Sequence, residues 1–255
     1  TRLLTTEEYG IVSLYQTWFN IIVVIVTLQI YINPLNNAMV KFSDNQDKIV
    51  SCMQGMLVTM CAMSMIAFAL LRDVFILLTG LPEITLAFLL IQVYGTASMS
   101  LWMSYNRFHY RYKSVVITTL AYAIINAVLG LALVTFMRNG WLARIISLSM
   151  SQFMFGGVLS LVNLRCGKTF FDLKLWKYSF AFGVRLLPNS LASLFLNQAD
   201  RIVIQKLTST VEVAYYSLAY NIATLTDVFK NAISHAFLPW MYTSLKEGAD
   251  EELQK

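Results

Sequence analysis

Charge is missing from this sequence in long blocks. Seven runs, each long enough to cross a bilayer, are almost free of Asp, Glu, Lys and Arg. They cover roughly residues 9–31, 49–71, 83–105, 114–137, 141–164, 178–197 and 213–238. About 20 apolar residues in a helix span the hydrocarbon layer. Inside that layer the backbone has no water to bond to, so each run must satisfy its own N–H and C=O groups. The runs are too long, and too far from strict alternation, to be membrane strands. The sequence therefore predicts an all-α integral membrane protein. The composition agrees: 57% of residues are hydrophobic and 13% charged, where soluble domains carry about 25% charge.

The loops orient the chain. One alternate set, at 33–48, 106–113, 165–177 and the tail after residue 238, holds eleven Lys and Arg. The other set holds six: Arg2, Arg72, Arg138, Arg144, Arg201 and Lys206. The positive-inside rule puts the richer set in the cytoplasm. Scattered between apolar runs, these basic residues anchor a membrane protein and give no reason to expect a nucleic-acid partner. The link at 165–177 is the longest basic one and divides the chain into an N-terminal bundle at 1–164 and the start of a second bundle at 178–255. Asn33-Pro34 reads as a helix stop, and the Met-rich second run as lipid-facing packing. Cys52, Cys61 and Cys166 read as small buried packing residues. The opening TRLLTTEEYG has no Met and no cleavable signal, so a piece lacking at least one preceding helix is expected.

Two runs carry polar stripes at helical spacing. Arg185, Asn189, Ser193 and Asn197 recur in steps of four and reach Asp200. Ser217, Tyr220, Thr224, Asp227, Asn231 and His235 share a sector of the last run, with Lys230 at its margin. A helix in lipid needs no polar face, so these faces must look onto protein or water. The first run has a stripe of its own: Ser13, Gln16, Thr17, Asn20, Thr27 and Tyr31. Hydrogen bonds between helices and the lining of a cavity both account for it.

Arg185 is the charge hardest to explain in lipid. Either it snorkels to the nearby interface, or it faces a hydrated cavity and binds an anion, for which the guanidinium fork is well suited. Pro188 is expected to kink its helix. Asp227 and Lys230, three apart, either neutralise each other or act separately, Asp227 as a partner of Arg185 or as a proton carrier. His235, beside Pro239 and Trp240, reads as an interface residue. Asp200-Arg201 read as a polar corner beyond the apolar run that closes the helix pair. Gly156-Gly157 and Ser160 form a small-residue patch for close helix approach.

Other chemistry is excluded by spacing. Gly167-Lys168-Thr169 imitates a phosphate-binding loop, but residue 162 is Val where that loop needs Gly, and no strand precedes it. There is no Asp-x-Asp pair of the kind a sugar-nucleotide transferase presents. No metal ligands and no cofactor are expected, and the chain is not expected to be an enzyme.

Five segments, taken together, are similar to a known family: RLLTTEEYGIVSLYQTW at 2–18, NNAMVKF at 36–42, LLPNSLASLFLNQADRIVI at 186–204, AYYSLAYNI at 214–222 and PWMY at 239–242. They resemble the bacterial polysaccharide export proteins, the O-antigen and capsule repeat-unit flippases of the multidrug/oligosaccharidyl-lipid/polysaccharide exporter superfamily. The resemblance implies twelve to fourteen helices in two bundles around a cavity, of which this chain supplies helices two to eight. It implies flipping of a polyprenyl-diphosphate-linked oligosaccharide across the bacterial cytoplasmic membrane, alongside membrane lipid and in company with polysaccharide polymerase and export machinery. The cavity cations would be Arg185 and Lys230, and Asp227 the charge partner or coupling group. Asn20, Asn189, Ser193, Asn197, Tyr220, Thr224 and Asn231 would supply the polar lining. Another exporter of the same superfamily, for peptidoglycan precursor or for drugs, and a membrane glycosyltransferase or polymerase are the competing expectations. The assigned charges leave an excess of +1, which suits an anionic substrate better than a cationic drug.

Overall fold

A computed structural model describes residues 4–42, 45–137 and 139–226. Among them are nine helices and no strand: α1 (Thr6–Thr27), α2 (Asn33–Lys41), α3 (Gln46–Leu70), α4 (Arg72–Thr79), α5 (Glu83–Phe108), α6 (Tyr112–Phe136), α7 (Gly140–Gly167), α8 (Leu173–Leu207) and α9 (Thr210–Ala223). Six of these (α1, α3, α5, α6, α7 and α8) are long and apolar enough to cross a membrane. The chain is an all-α, multi-pass membrane protein. The seventh expected span starts as α9, and its remainder lies outside the described residues.

The helices alternate in direction, so their connections collect at two ends. One end carries Glu8, Leu81, Gly140 and Thr210; the other carries Leu28, Asp47, Lys168 and Asp172. At the first end Thr5 and Glu8 form a capping box. Glu8 N donates to Thr5 Oγ1 at 3.3 Å, and Thr5 N donates to Glu8 Oε2 at 2.9 Å. The other Glu8 oxygen accepts from Gly140 N at 2.9 Å. One carboxylate thus satisfies orphan N–H groups at the start of both α1 and α7.

At the opposite end, Asp172 does similar double duty. Its Oδ1 accepts from Lys174 N and Leu175 N, capping α8, while Oδ2 pairs with Lys48 Nζ at 2.7 Å. The Lys48 side chain, more than the Leu175 N–H, holds the Asp172 carboxyl below the usual carboxylate range. Trp176 Nε1 donates to Cys52 O, and Ser51 Oγ donates to Leu164 O. The basic link at 165–177 is helical on both sides, and only residues 168–172 are outside a helix.

Packing between helices uses small residues and polar glue. A Cβ on Gly156 of α7 would lie 2.2 Å from Gly95 O of α5, so the two backbones touch where the sequence places its small patch. Gly157 faces open space. Ser160 accepts from Tyr94 OH at 2.7 Å. Deeper in, Tyr15 OH donates to Gln92 Oε1 at 2.6 Å, Gln54 Nε2 to Ser98 Oγ at 2.9 Å, and Asn163 Nδ2 to Gln54 Oε1 at 3.0 Å. Each of these polar groups would be costly in hydrocarbon without a partner.

Several expectations change. The second run is not merely lipid-facing: Ile49 to Leu57 is buried without interruption, and Ser51 and Gln54 there bond to α7 and α5. Asn33-Pro34 starts a helix instead of stopping one. α1 ends at Thr27, where Leu28 and Gln29 take left-handed backbone (φ 49° and 48°), and Pro34 then occupies the first turn of α2. Cys52 and Cys61 are buried, but Cys166 is exposed. α8 is a single helix through Leu207, ten residues longer at its end than the apolar run. Asp200-Arg201 therefore sit inside it and not at a corner beyond it. The helix continues because α9 partners both charges, and Ile202, Val203 and Ile204 return the sequence to apolar.

Candidate functional site

α1 meets α8 and α9 along one face, and that face is polar. Counting down α1, Tyr9, Ser13, Gln16 and Asn20 recur at intervals of three to four, so all four project to one side. Ser13 Oγ donates to Ser217 Oγ of α9 at 2.6 Å. The Thr17 hydroxyl shares its one proton between Ser13 O at 3.0 Å and Gln198 Oε1 of α8 at 3.3 Å. Asn221 Nδ2 of α9 donates to Tyr9 OH at 2.9 Å. The stripe on α1 thus divides its roles. Ser13 and Thr17 tie helices together, while Gln16 and Asn20 face a cavity of about 430 Å³.

Two guanidinium groups border this cavity. Arg201 of α8 is 8% exposed. Its Nε donates to Ser217 Oγ at 3.2 Å, its Nη1 donates to Gln198 Oε1, and its Cζ stands 4.8 Å from the Tyr220 ring centre. The next residue along, Asp200, accepts from Tyr216 OH, so α9 holds both charges of the pair. Arg144 of α7 enters from the other side. Its Nη1 contacts Asn126 Oδ1 at 3.4 Å and Ser147 Oγ at 3.3 Å. Gly130 on α6 makes room for it: a Cβ there would lie 2.7 Å from Arg144 Nη1. Around Arg144 the cavity meets a second one of about 360 Å³, which shares Tyr9 and Val12 and extends between α1 and α6.

Among the described residues, neither guanidinium is paired with a carboxylate. Arg201 uses two of its five N–H groups on protein partners, and Arg144 uses only Nη1. Two cations removed from bulk water without an anion are electrostatically unfavourable, and donors left over in a fork geometry fit a phosphate or carboxylate. The neutral lining adds amide and hydroxyl groups from Gln16, Asn20, Gln198, Tyr220 and Asn221. Such a lining hydrogen-bonds hydroxyl-rich ligands in either sense.

The residues singled out in sequence are distributed unevenly. Asn20 and Tyr220 line the cavity. Arg185, Asn189, Ser193 and Asn197 lie on another face of α8 and are exposed. Ser193 and Asn197 donate within their own helix, to Asn189 O at 3.0 Å and Ser193 O at 2.7 Å. Thr224 donates to Asn221 O and does not line the cavity. Asp227, Lys230, Asn231 and His235 lie outside the described residues. α8 passes unbroken through Pro188.

Arg144, Arg201 and Gln198 were not among the expected site residues. Arg144 and Arg201 both sit near the ends of apolar runs, where a basic residue reads as loop. The signal available was register. Leu187, Leu191 and Leu194 pack toward α1, and continuing that three–four spacing lands on Gln198 and Arg201. Extending the α1-facing stripe, not the Arg185 stripe, finds the cation.

Residues 1–244 match the model of a family described as polysaccharide biosynthesis protein. No curated protein and no solved structure matches the chain.

Proposed function

Since the chain belongs to the polysaccharide biosynthesis protein family, we propose that it is a transporter, and not an enzyme, which moves a polyprenyl-diphosphate-linked oligosaccharide repeat unit across a bacterial cytoplasmic membrane. The observation that carries this reading is the cavity between α1, α7, α8 and α9, with Arg144 and Arg201 at its border and no carboxylate paired to either among the described residues. A diphosphate bears the charge those cations lack. The amide and hydroxyl lining replaces water around sugar hydroxyls, and the polyprenyl tail stays in lipid. A diphosphate-linked glycan does not cross hydrocarbon unaided, because each polar group would leave water unpaired.

The positive-inside bias assigns the Asp172 end to the cytoplasm and the Glu8 end to the outside. The bonds from α1 to α9 then close the cavity on the outer side. Separation of α1 from α8 and α9 opens it, in the rocking of two bundles that alternating access requires. The exposed stripe of α8, with Arg185, Asn189, Ser193 and Asn197, is unsuited to lipid and supplies a second wet surface along the same route. Lys230 and Asp227 stay in the proposal as a further cation and its charge or coupling partner.

The test is complementation in a strain lacking its own repeat-unit flippase, with membrane levels of each variant matched. Arg201→Gln and Arg144→Gln should each abolish or sharply reduce surface polysaccharide while lipid-linked repeat units accumulate, and Arg185→Ala should weaken it. Full export by the Arg144→Gln/Arg201→Gln double variant would exclude the cavity from the transport route.

A further inference from the structure

The Asp172 end of the bundle holds a second charged cavity, remote from the one just described. It measures about 360 Å³ and is bordered by Lys41 at the end of α2, Asn45 and Lys48 at the start of α3, and Asp172 and Lys174 at the start of α8. Among the described residues, three ammonium groups face one carboxylate. Asp172 is committed to Lys48 at 2.7 Å, and among the described residues neither Lys41 nor Lys174 has an ion-pair partner. Both are held at the cavity by aromatic rings. Lys41 Nζ lies 4.7 Å from the Tyr178 ring centre, and Lys174 Nζ lies 5.4 Å from that of Phe42.

Two long helices begin at this spot. Asn45 caps α3 by accepting from Lys48 N at 3.1 Å, and Asp172 caps α8. Both positive dipole ends therefore add to the field of the lysines. Exposed apolar residues adjoin the lining ones in sequence and give the cavity its rim: Val40, next to Lys41, is 70% exposed, and Phe171 and Leu173, on either side of Asp172, are 56% and 69%. Trp176 and Tyr178, the residue types that settle at the membrane–water boundary, lie in the next turn of α8. A free anion needs the cations but not the rim. A lipid uses both, with its phosphate in the cavity and its chains against the apolar edge.

We propose that this cavity is a phosphate-ester site for the headgroup of an anionic phospholipid, held by Lys41 and Lys174 where the bundle meets the membrane surface. Clusters of lysines between membrane helices at such an interface recognise anionic lipid in this way. The site does not depend on the transport reading, because its residues are remote from Arg144 and Arg201.

The full chain, purified in detergent, is titrated with phosphatidylglycerol and separately with phosphatidylcholine, and bound lipid is read by native mass spectrometry. Phosphatidylglycerol should bind at least tenfold more tightly. Lys41→Gln and Lys174→Gln should each cost about fivefold, equivalent to about 1 kcal/mol per lysine, and together about 25-fold. Binding of phosphatidylcholine should not change. Lys177→Gln, an exposed lysine outside the cavity, should have no effect. Asp172→Asn removes the opposing charge and should tighten phosphatidylglycerol binding several-fold, a gain that misfolding cannot produce. Equal affinity for the two lipids, or an equal loss from Lys177→Gln, overturns the proposal. Displacement of the lipid by inorganic phosphate at low millimolar concentration would overturn the lipid assignment in favour of a soluble phosphate.

Discussion

Gly10 is the point at which one added methyl group separates α1 from α9. A Cβ there would lie 2.2 Å from Thr210 O and 2.8 Å from Thr210 Cγ2. Carbon–oxygen contacts do not close below 3.0 Å, so the helices must part by about 0.8 Å at this level. Thr210 O is backbone and cannot rotate away. Two side-chain bonds bridge α1 to α9 nearby: Tyr9 with Asn221 and Ser13 with Ser217. At about 0.6 kcal/mol each in a membrane, their loss is worth about 1.2 kcal/mol, at the lower end of the about 1–3 kcal/mol typical of overpacking. Gly→Ala also favours the helix by about 1 kcal/mol, but that gain is the same whether α1 and α9 touch or not, so it leaves the balance between the two arrangements unchanged. Gly10→Ala should therefore shift that balance about eightfold toward separation. The assay is disulfide formation between Ser13→Cys and Ser217→Cys under mild oxidant, since the parent hydroxyls are 2.6 Å apart. Cross-linking should be fast with Gly10 and several-fold slower with Gly10→Ala. Equal rates would refute the reasoning, since they would mean that the contact yields without separating the helices.

Gly156→Val should be more damaging than Gly157→Val, because only the former meets the α5 backbone; the difference should appear as a lower melting temperature in detergent for Gly156→Val alone, on the overpacking scale of about 1–3 kcal/mol. Glu8→Ala removes acceptors from two helix starts at once, for a loss of about 1–2 kcal/mol by the scale of single caps, read as earlier fraying at both Thr6 and Gly140 by hydrogen exchange. Asp172 has a lowered carboxyl pKa, so its contribution to stability is complete above the ordinary carboxylate range and is lost as pH falls through its folded value. The melting temperature of the wild type should accordingly drop more steeply on acidification than that of Asp172→Asn, which keeps a side-chain cap for α8 but has no charge to lose; parallel curves would remove the Lys48 pair as the cause.

Long apolar runs made the helices legible because hydrocarbon leaves the backbone a single solution. Starts and stops were less legible. Pro34 follows a residue type that ends helices, yet the end is made earlier by Leu28 and Gln29 in left-handed backbone, which no Gly or Asn announces. The overlong α8 was hidden for a related reason. Asp200 and Arg201 look like an interface when read along the chain, and only α9, through Tyr216, Ser217 and Tyr220, makes them tolerable inside a helix. That partnership spans sixteen residues and is invisible to a local window.

Periodicity identifies a face without saying what the face meets. α8 carries polar residues on two faces. One, apolar through Leu187, Leu191 and Leu194 and polar only at its end in Gln198 and Arg201, turns to α1 and α9. The other, from Arg185 to Asn197, is exposed. The second has the longer and more regular repeat, so sequence alone ranks it first. Burial reverses that ranking, because a guanidinium in water interacts weakly with an anion, whereas one shielded by Tyr220 and Ser217 interacts strongly and has less water to give up. A helix polar on two sides also cannot rest both against lipid. α8 therefore has the cavity on its α1 side and the exposed Arg185 stripe on another, so under the proposed transport reading movement of this one helix would change the surroundings of Arg201 and Arg185 together.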